Sequence, residues 1–226
     1  MLSGQEFKLG GKEEYMEPAC SRSGSIMALI MIFMSFCISF VWLPSRALAG
    51  EPTDMVKKTV DEVLDVLKNK ELKRPGKAAE RRAEILKIVS RRFDFAEMAK
   101  RSLAQNWKKR TPEEQKEFVS LFTDLVEDTY VNKVEKYQDE KITYSGEKVE
   151  GTYASVKTNV ETSRGIETPI EYRLMREGNQ WMAYDVLIEG VSLVNNYRNQ
   201  FNSIIRSSSY GELVKRLKKK TIKSPT

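Results

Sequence analysis

The chain has 226 residues, a formal net charge of +6 and no histidine, and both of its cysteines, Cys20 and Cys37, lie near the N-terminus. Without histidine there is no usual general base or metal ligand, and the cysteine-free remainder offers no thiolate nucleophile. The composition therefore predicts that the protein is not an enzyme and holds no metal or cofactor, while its basic excess favours anionic surfaces.

The first predicted element is an export signal. Residues 26–43 carry no charge, Pro44 ends this apolar run, and small residues at Ala47 and Ala49 suit cleavage before Gly50. A retained membrane anchor is the alternative, because an apolar run of this length can span a bilayer.

The organisation of the chain follows from this signal. Acidic residues precede the apolar run, so translation starting at Met16 is an alternative to a start at Met1. We predict a signal peptide over 1–49 and a single domain with a basic C-terminal tail over 50–226. Cleavage after Ala49 would release an exported mature protein, for which nucleic acid is not an expected partner.

Apolar residues at helical spacing predict four helices in the first half of the mature chain. Asp94 followed by Glu97, and Thr111-Pro112-Glu113-Glu114, are typical of helix N-termini. The predicted helices cover about 54–69, 77–90, 94–107 and 112–137.

From Ile142 the apolar period changes to two, which predicts four strands. Short turns between them indicate an antiparallel meander, and an apolar face in the strands requires helices to cover it. Ser192 and Ser209 are placed to cap two final helices, the second of which ends in a run of lysines. The predicted strands cover about 141–149, 153–161, 168–176 and 181–188.

The segment from Trp181 to Phe201 is the most informative part of the chain. Two sets of side chains alternate along its strand, Met182, Tyr184 and Val186 against Trp181, Ala183 and Asp185. After Glu189 and Gly190 break the strand, the helix carries an apolar stripe. A strand and an apolar helix that meet at a glycine form a natural wall for an apolar pocket.

The run YDVLIEGVS, from Tyr184 to Ser192, resembles the signature of the MlaC/toluene-tolerance family of periplasmic phospholipid carriers. FDFAEMAKRSLAQNW, TPEEQKEFVSLF and DTYVNKVEKY resemble its helical half in the same order, so the resemblance covers about 54–220. It implies an α+β fold with a curved four-stranded antiparallel sheet covered by several helices. This is a variant of the nuclear transport factor two-like cone with an internal apolar pocket.

The resemblance implies a periplasmic phospholipid shuttle that maintains outer-membrane lipid asymmetry without catalysis. Its implied partners are a phospholipid ligand, an outer-membrane lipoprotein complex and an inner-membrane ABC transporter with an MCE-domain protein. We expect the lipid to contact Phe118, Phe122, Leu125, Tyr130, Tyr172, Tyr184, Val186, Ile188, Val191, Val194, Tyr197 and Phe201. We expect partners to dock on Arg81, Arg82, Arg91, Arg92, Lys218, Lys219 and Lys220.

Three alternatives remain open at this point. A carrier of hopanoids or another polycyclic lipid would use the same fold. An isomerase or cyclase on the cone-like fold would need catalytic groups other than histidine. A structural or chaperone-like subunit would place the same apolar residues in a solid core, because a packed core and a pocket wall are built from the same side chains.

Overall fold

The structure is a computed structural model, and it describes residues 50–135, 137, 139–220 and 222. The predictions for the signal peptide and its cleavage site concern residues 1–49, which lie outside this part of the chain. Its α-helices are α1 (Glu51–Lys68), α2 (Ala78–Ser90), α3 (Phe95–Leu103), α4 (Pro112–Val134), α5 (Leu193–Ser207) and α6 (Tyr210–Lys218). Its strands are β1 (Lys141–Glu150), β2 (Tyr153–Glu161), β3 (Glu167–Glu177), β4 (Gln180–Ile188) and β5 (Val191–Ser192).

The predicted capping residues start the helices. Asp94 accepts a hydrogen bond from the Glu97 amide at 2.8 Å, which fixes the start of α3. At α4 the Thr111 hydroxyl accepts from the Glu114 amide, and the Glu114 carboxylate accepts from the Thr111 amide. Each pair satisfies amides that have no partner inside the helix. The predicted third helix is interrupted, since residues 104–109 form a 3₁₀ helix.

The sheet is an antiparallel meander in the order β1-β2-β3-β4-β5. The α+β class and the meander are confirmed, but the predicted count of four strands is wrong, because the sheet has five. Glu189 and Gly190 both take positive φ angles, 52° and 80°, and reverse the chain so that Val191 pairs with Ile188. The fifth strand, β5, has only two residues, which is too short to show an alternating pattern. The sequence therefore indicated only a turn followed by the helix cap.

Helix α1 covers one face of the sheet, which we call the inner face. Its Val56 packs, with Met55 and Val60 beside it, against side chains that the strand register places on one side of β2, β3 and β4. At its N-terminus the Thr53 hydroxyl and amide both donate to the Glu147 carboxylate of β1, at 2.6 and 2.8 Å. The sheet residues of this cluster are Ala154, Val156, Leu174, Trp181 and Ala183.

A bulge in β4 changes which residues share the inner face. The register pairs Leu174 with Ala183 but Arg173 with Asp185, so Tyr184 is an extra residue on β4. An extra residue breaks strict alternation. The predicted grouping of Tyr184 with Val186 is therefore wrong: Val186 is opposite Tyr172 on the inner face, whereas the Tyr184 ring contacts Tyr153 on the outer face at 5.9 Å.

Helices α3 to α6 form a separate cluster, which we call the helical core. It joins the sheet at β4, where the Ala183 amide donates to the Arg92 carbonyl and the Asp94 amide donates to the Ala183 carbonyl. None of the helices within the described residues is both long and apolar enough to cross a membrane. The fully buried side chains of the helical core include Met98, Leu103, Phe118, Phe122, Tyr197, Phe201 and Leu213.

Candidate functional site

The predicted lipid-contacting residues divide between the helical core and the sheet. Phe118, Phe122, Tyr197 and Phe201 have no exposed surface, and Val194 is 2% exposed. Their rings contact one another, edge-to-face for Phe122 and Tyr197 with centroids 5.7 Å apart and stacked for Tyr197 and Phe201 at 5.5 Å. Such contacts are typical of a close-packed interior, so these side chains fill the space between their helices themselves. Leu125 and Tyr130 lie half-buried at its margin.

The inner face of the sheet carries apolar side chains that α1 does not cover. Toward the β2–β3 turn, four branched aliphatic residues are half-buried, and none of them packs against the buried clusters that the described residues form. The register pairs Ile142 with Val160 across β1 and β2, and Ile170 with Ile188 across β3 and β4. We call these four residues the open inner face.

Of the four residues of the open inner face, only Ile188 was among the predicted lipid contacts. Ile142, Val160 and Ile170 were missed, although each stands at an apolar position of a strand pattern that the sequence displays. Strand alternation could have found them, but it does not tell which part of an apolar face a helix will cover.

Two tyrosines mark the boundary between the covered and open parts of the inner face. Burial raises the pKa of Tyr172 to about 12, although the nearby Thr158 hydroxyl opposes this shift. Burial also raises the pKa of Tyr144 to about 12, with Tyr172 and Asp61 adding to the effect. Both side chains nevertheless keep accessible surface. Groups that are desolvated yet partly accessible are typical of the wall of an internal space.

The Tyr144 hydroxyl is the polar group most suited to a ligand on this face. Its oxygen is buried and has no hydrogen-bond partner within the described part of the chain. A buried hydroxyl without a partner costs free energy, which a hydrogen-bond acceptor on a ligand would recover.

Helix α1 connects the inner face to a third apolar group. Its Val60 lies against the sheet cluster, whereas Val63 and Leu64, one turn further on, lie against a cluster built by α1, α2 and α4. The buried members of that third cluster are Leu67, Ile85 and Val131. The helix therefore places half-buried apolar side chains beyond the point where its contact with the sheet ends.

Three predicted lipid contacts border a different place, to which the helical core contributes Val194. Tyr184, Val191 and Val194 line a concavity of about 480 Å³ where β3 to β5 meet α3 and α5. Its other side chains are mostly polar, so it does not suit acyl chains. We call it the arginine pocket, after Arg101, Arg173 and Arg198 in its wall.

Most of the predicted docking cations are held by carboxylates of the same chain. Arg81 pairs with Glu135, Arg82 with Asp128 and Arg91 with Glu62. Lys218 pairs with Glu117 at 2.7 Å, and Lys220 pairs with Asp128. Among the described residues, Arg92 and Lys219 are the two predicted docking cations with no intramolecular ion pair.

No group of three or more acidic, histidine or cysteine side chains in the described part of the chain could hold a metal ion.

Comparisons with known proteins agree on one family. The model of the family described as MlaC protein matches residues 57–219. The toluene tolerance protein ttg2D of Pseudomonas putida is 29% identical over 156 residues, which are 68% of this chain and 72% of that protein. The intermembrane phospholipid transport system binding protein MlaC of Haemophilus influenzae is 23% identical over 120 residues, 51% of this chain and 56% of its own length.

A solved structure shares the fold. The phospholipid-binding protein from Ralstonia solanacearum, determined in complex with a phospholipid, superposes with a TM-score of 0.69 at 25% sequence identity. The superposition covers 75% of this chain and 96% of that protein.

Proposed function

Because this chain belongs to the MlaC family, we propose that it is a periplasmic phospholipid-binding protein that transports lipid between membranes. The relatives named for intermembrane phospholipid transport and toluene tolerance, and the phospholipid in the Ralstonia structure, support this function. The family is one of lipid transport rather than of enzymes, so the proposed role needs no catalytic group.

The observation that carries the proposal is the open inner face. Ile142, Val160, Ile170 and Ile188 present branched aliphatic side chains that no buried cluster covers within the described residues. We propose that acyl chains lie between this face and the half-buried residues of α1. The sheet, its helices and the lipid would together form the cone-like, apolar interior expected from the family.

The polar end of the lipid would be held near the two boundary tyrosines. The Tyr144 hydroxyl has no partner in the described part of the chain and is free to donate to an ester or phosphate oxygen. Tyr172 lies near it, on β3, whereas Tyr144 belongs to β1. Burial raises the pKa of both hydroxyls. Two neutral hydroxyl donors bind an oxygen without selecting one headgroup charge.

Energetics suit a carrier. A two-chain lipid hides about 30 methylenes, each worth about 0.8 kcal/mol against water, so release into the aqueous phase is prevented. Transfer to a bilayer or another apolar channel exchanges one hydrocarbon-like environment for another. Lipid can therefore pass in either direction once the carrier docks.

The cellular context belongs to the same proposal. We propose that residues 1–49 are removed on export, that residues 50–226 act as one lipid-binding domain, and that the carrier meets an outer-membrane lipoprotein complex and an inner-membrane MCE-domain transporter. Arg92 and Lys219 are the candidates among the predicted docking cations that lack an intramolecular ion pair in the described part of the chain.

Organic extraction of the protein purified from the periplasmic fraction tests the function. We expect mass spectrometry to find phospholipid in stoichiometric amount. A protein that yields no lipid, both as purified and after incubation with phospholipid vesicles, would refute the carrier function. A polycyclic lipid in place of phospholipid would favour the hopanoid carrier.

A further inference from the structure

The arginine pocket lies on the outer side of the sheet and is built by several elements. Arg101 comes from α3, Arg173 from β3 and Arg198 from α5, and all three line one concavity of about 480 Å³. The amide side chains of Asn195, Asn196 and Asn199 and the apolar side chains of Leu187 and Val191 complete much of its wall.

The single carboxylate in the pocket wall, that of Asp185, already accepts hydrogen bonds from its own chain. One Asp185 oxygen accepts from the amides of Val186 and Val194, each at 3.0 Å, and the other accepts from the Ser192 hydroxyl at 2.6 Å. The side chain is only 6% exposed. Asp185 therefore closes the corner between β4, β5 and α5, and only its 3.8 Å ion pair with Arg173 is directed at the pocket arginines.

The arginines are held in place by contacts that leave donors available. Arg101 donates from Nε to Glu97 and lies over the Tyr184 ring, 4.1 Å from its centroid. Arg198 donates from Nε to the Arg101 carbonyl at 2.9 Å and forms no ion pair within the described residues. A positioned guanidinium fork suits a planar carboxylate, because both can be joined by two parallel hydrogen bonds.

We propose that the arginine pocket binds an acidic segment of a partner protein, with a glutamate or aspartate carboxylate among Arg101, Arg173 and Arg198. A recess accepts a protruding side chain, whereas a bilayer surface is flat. The rim suits a protein too, since Val191 is 47% exposed and offers an apolar contact beside the charged one. This goes beyond the proposed lipid function, because a protein that bound no lipid could carry the same pocket.

The ion pairs of the predicted docking cations make them less suited to an acidic segment than the arginine pocket is. Arg81, Arg82, Lys218 and Lys220 are paired with carboxylates of their own chain, which an incoming acidic group would have to displace.

Of the pocket arginines, Arg101 pairs with Glu97 at 2.8 Å. Arg173 pairs with Glu171 at 3.5 Å and with Asp185 at 3.8 Å. Arg198 forms no ion pair within the described residues, so an acidic group can reach its guanidinium without displacing a carboxylate. The unpaired guanidinium of Arg198 stands in a recess, where positive charge attracts an acidic partner more strongly than paired charges on an open surface do.

An NMR titration of the isotope-labelled periplasmic protein with hexaglutamate tests the proposal. We expect the amides of Gly190, Val191 and Asn195 to shift, and hexaglutamine to have no effect. Arg173→Gln with Arg198→Gln should weaken binding about tenfold. The matched control, Lys57→Gln with Lys58→Gln on the exposed side of α1, removes the same charge and should leave binding unchanged.

A second variant protects the test against loss of folding. The Asn199 side chain forms no hydrogen bond within the described residues, and the residue is exposed. Asn199→Asp therefore places a carboxylate in the pocket without removing a side-chain hydrogen bond. We expect it to abolish hexaglutamate binding with an unchanged thermal midpoint.

Two other anionic ligands test whether the pocket prefers an acidic protein segment to free phosphate or to a lipid headgroup. If inorganic phosphate gives the same shifts at the same concentration, or if phosphatidylglycerol vesicles bind through these arginines, the acidic-segment proposal is overturned. It is also overturned if hexaglutamate binds the pocket variants as tightly as the parent protein.

Discussion

The helical core and the open inner face are built from the same kinds of residues but do opposite things. In the helical core, Phe118, Phe122, Tyr197 and Phe201 contact one another and have no exposed surface. On the open inner face, Ile170 and Ile188 pair with each other and remain half-buried. The difference lies in what covers them: helices on every side in one case, and α1 on only part of the face in the other.

This contrast shows why an apolar pattern alone does not locate a lipid site. Side chains that already bury one another have no apolar surface left for a ligand to cover. Side chains that are left uncovered gain about 25 cal/mol of free energy for each Å² of apolar surface that a ligand buries. The predictions below use this difference between the two regions.

The largest expected effect is the loss of a ring from the helical core. Phe122→Ala should lower the free energy of unfolding by about 3–5 kcal/mol, because it leaves a cavity in a packed interior. Ile170→Ala on the open inner face should cost only about 1 kcal/mol in lipid-free protein, since its side chain is partly exposed already. Urea unfolding of both variants measures the contrast, and equal losses would remove the distinction between the regions.

The next effect concerns the corner that joins the two regions. Asp185→Asn weakens acceptance from Val186, Val194 and Ser192 and should destabilise the protein by about 1.5–3 kcal/mol, because these are hydrogen bonds to a buried charged group. Ser192→Ala, the control at the same corner, removes a helix cap and should cost about 1 kcal/mol. An Asp185→Asn variant as stable as the parent in thermal unfolding would contradict the assigned role of the carboxylate.

Added volume separates the regions in a different way. Val194→Trp should overpack the helical core and cost about 1–3 kcal/mol, with the lipid bound per protein less affected. Ile170→Trp should do the reverse, filling the space for acyl chains with little loss of stability. The two variants introduce the same indole, so each serves as the control for the other. Lipid content after extraction, measured beside thermal unfolding, decides which region holds the ligand.

The smallest effect is a dependence on alkaline pH. Tyr144 and Tyr172 have pKa values raised to about 12 in the folded protein, whereas the ordinary value is 10.0. Between these values the unfolded chain loses protons that the folded protein keeps, so stability falls as pH rises from about 10 to about 12. At pH 11 each tyrosine should account for about 1 kcal/mol of this loss.

Replacing both tyrosines by phenylalanine should reduce that decline without changing stability at pH 7 by a comparable amount. The part that remains comes from other tyrosines, such as Tyr210, whose pKa burial also raises to about 12. Unfolding measured from pH 9 to pH 12 in parent and variant provides the check. A decline that is unchanged in the variant would place the responsible groups elsewhere.

The sequence predicted the features that depend on neighbouring residues, such as the starts of the helices and the alternation of the strands. Asp94, Thr111, Ser192 and Ser209 each accept a hydrogen bond from an amide in the first turn of the helix they start. The strands also follow their period of two, apart from the short β5 and the irregularities in β1 and β4. These features depend on neighbouring residues, and the sequence displays those directly.

The sequence could not predict features that depend on distant parts of the chain. The β4 bulge places Tyr184 on the outer face, and nothing in an alternating pattern marks the extra residue. Likewise, Phe118 and Ile170 are both apolar at regular spacing. Phe118 is enclosed by α3 to α6, whereas Ile170 is left open because the contact of α1 with the sheet ends before it. Both outcomes are properties of the assembled fold.

Photocrosslinking shows which side chains the acyl chains of the lipid contact. The protein is loaded with a phospholipid whose acyl chain carries a diazirine, irradiated and digested, and the modified peptides are identified by mass spectrometry. We expect modification of the strands that carry Ile142, Val160, Ile170 and Ile188, with Phe118 and Phe122 unmodified. Modification concentrated on α4 around Phe118 and Phe122, with the strands untouched, would contradict this expectation.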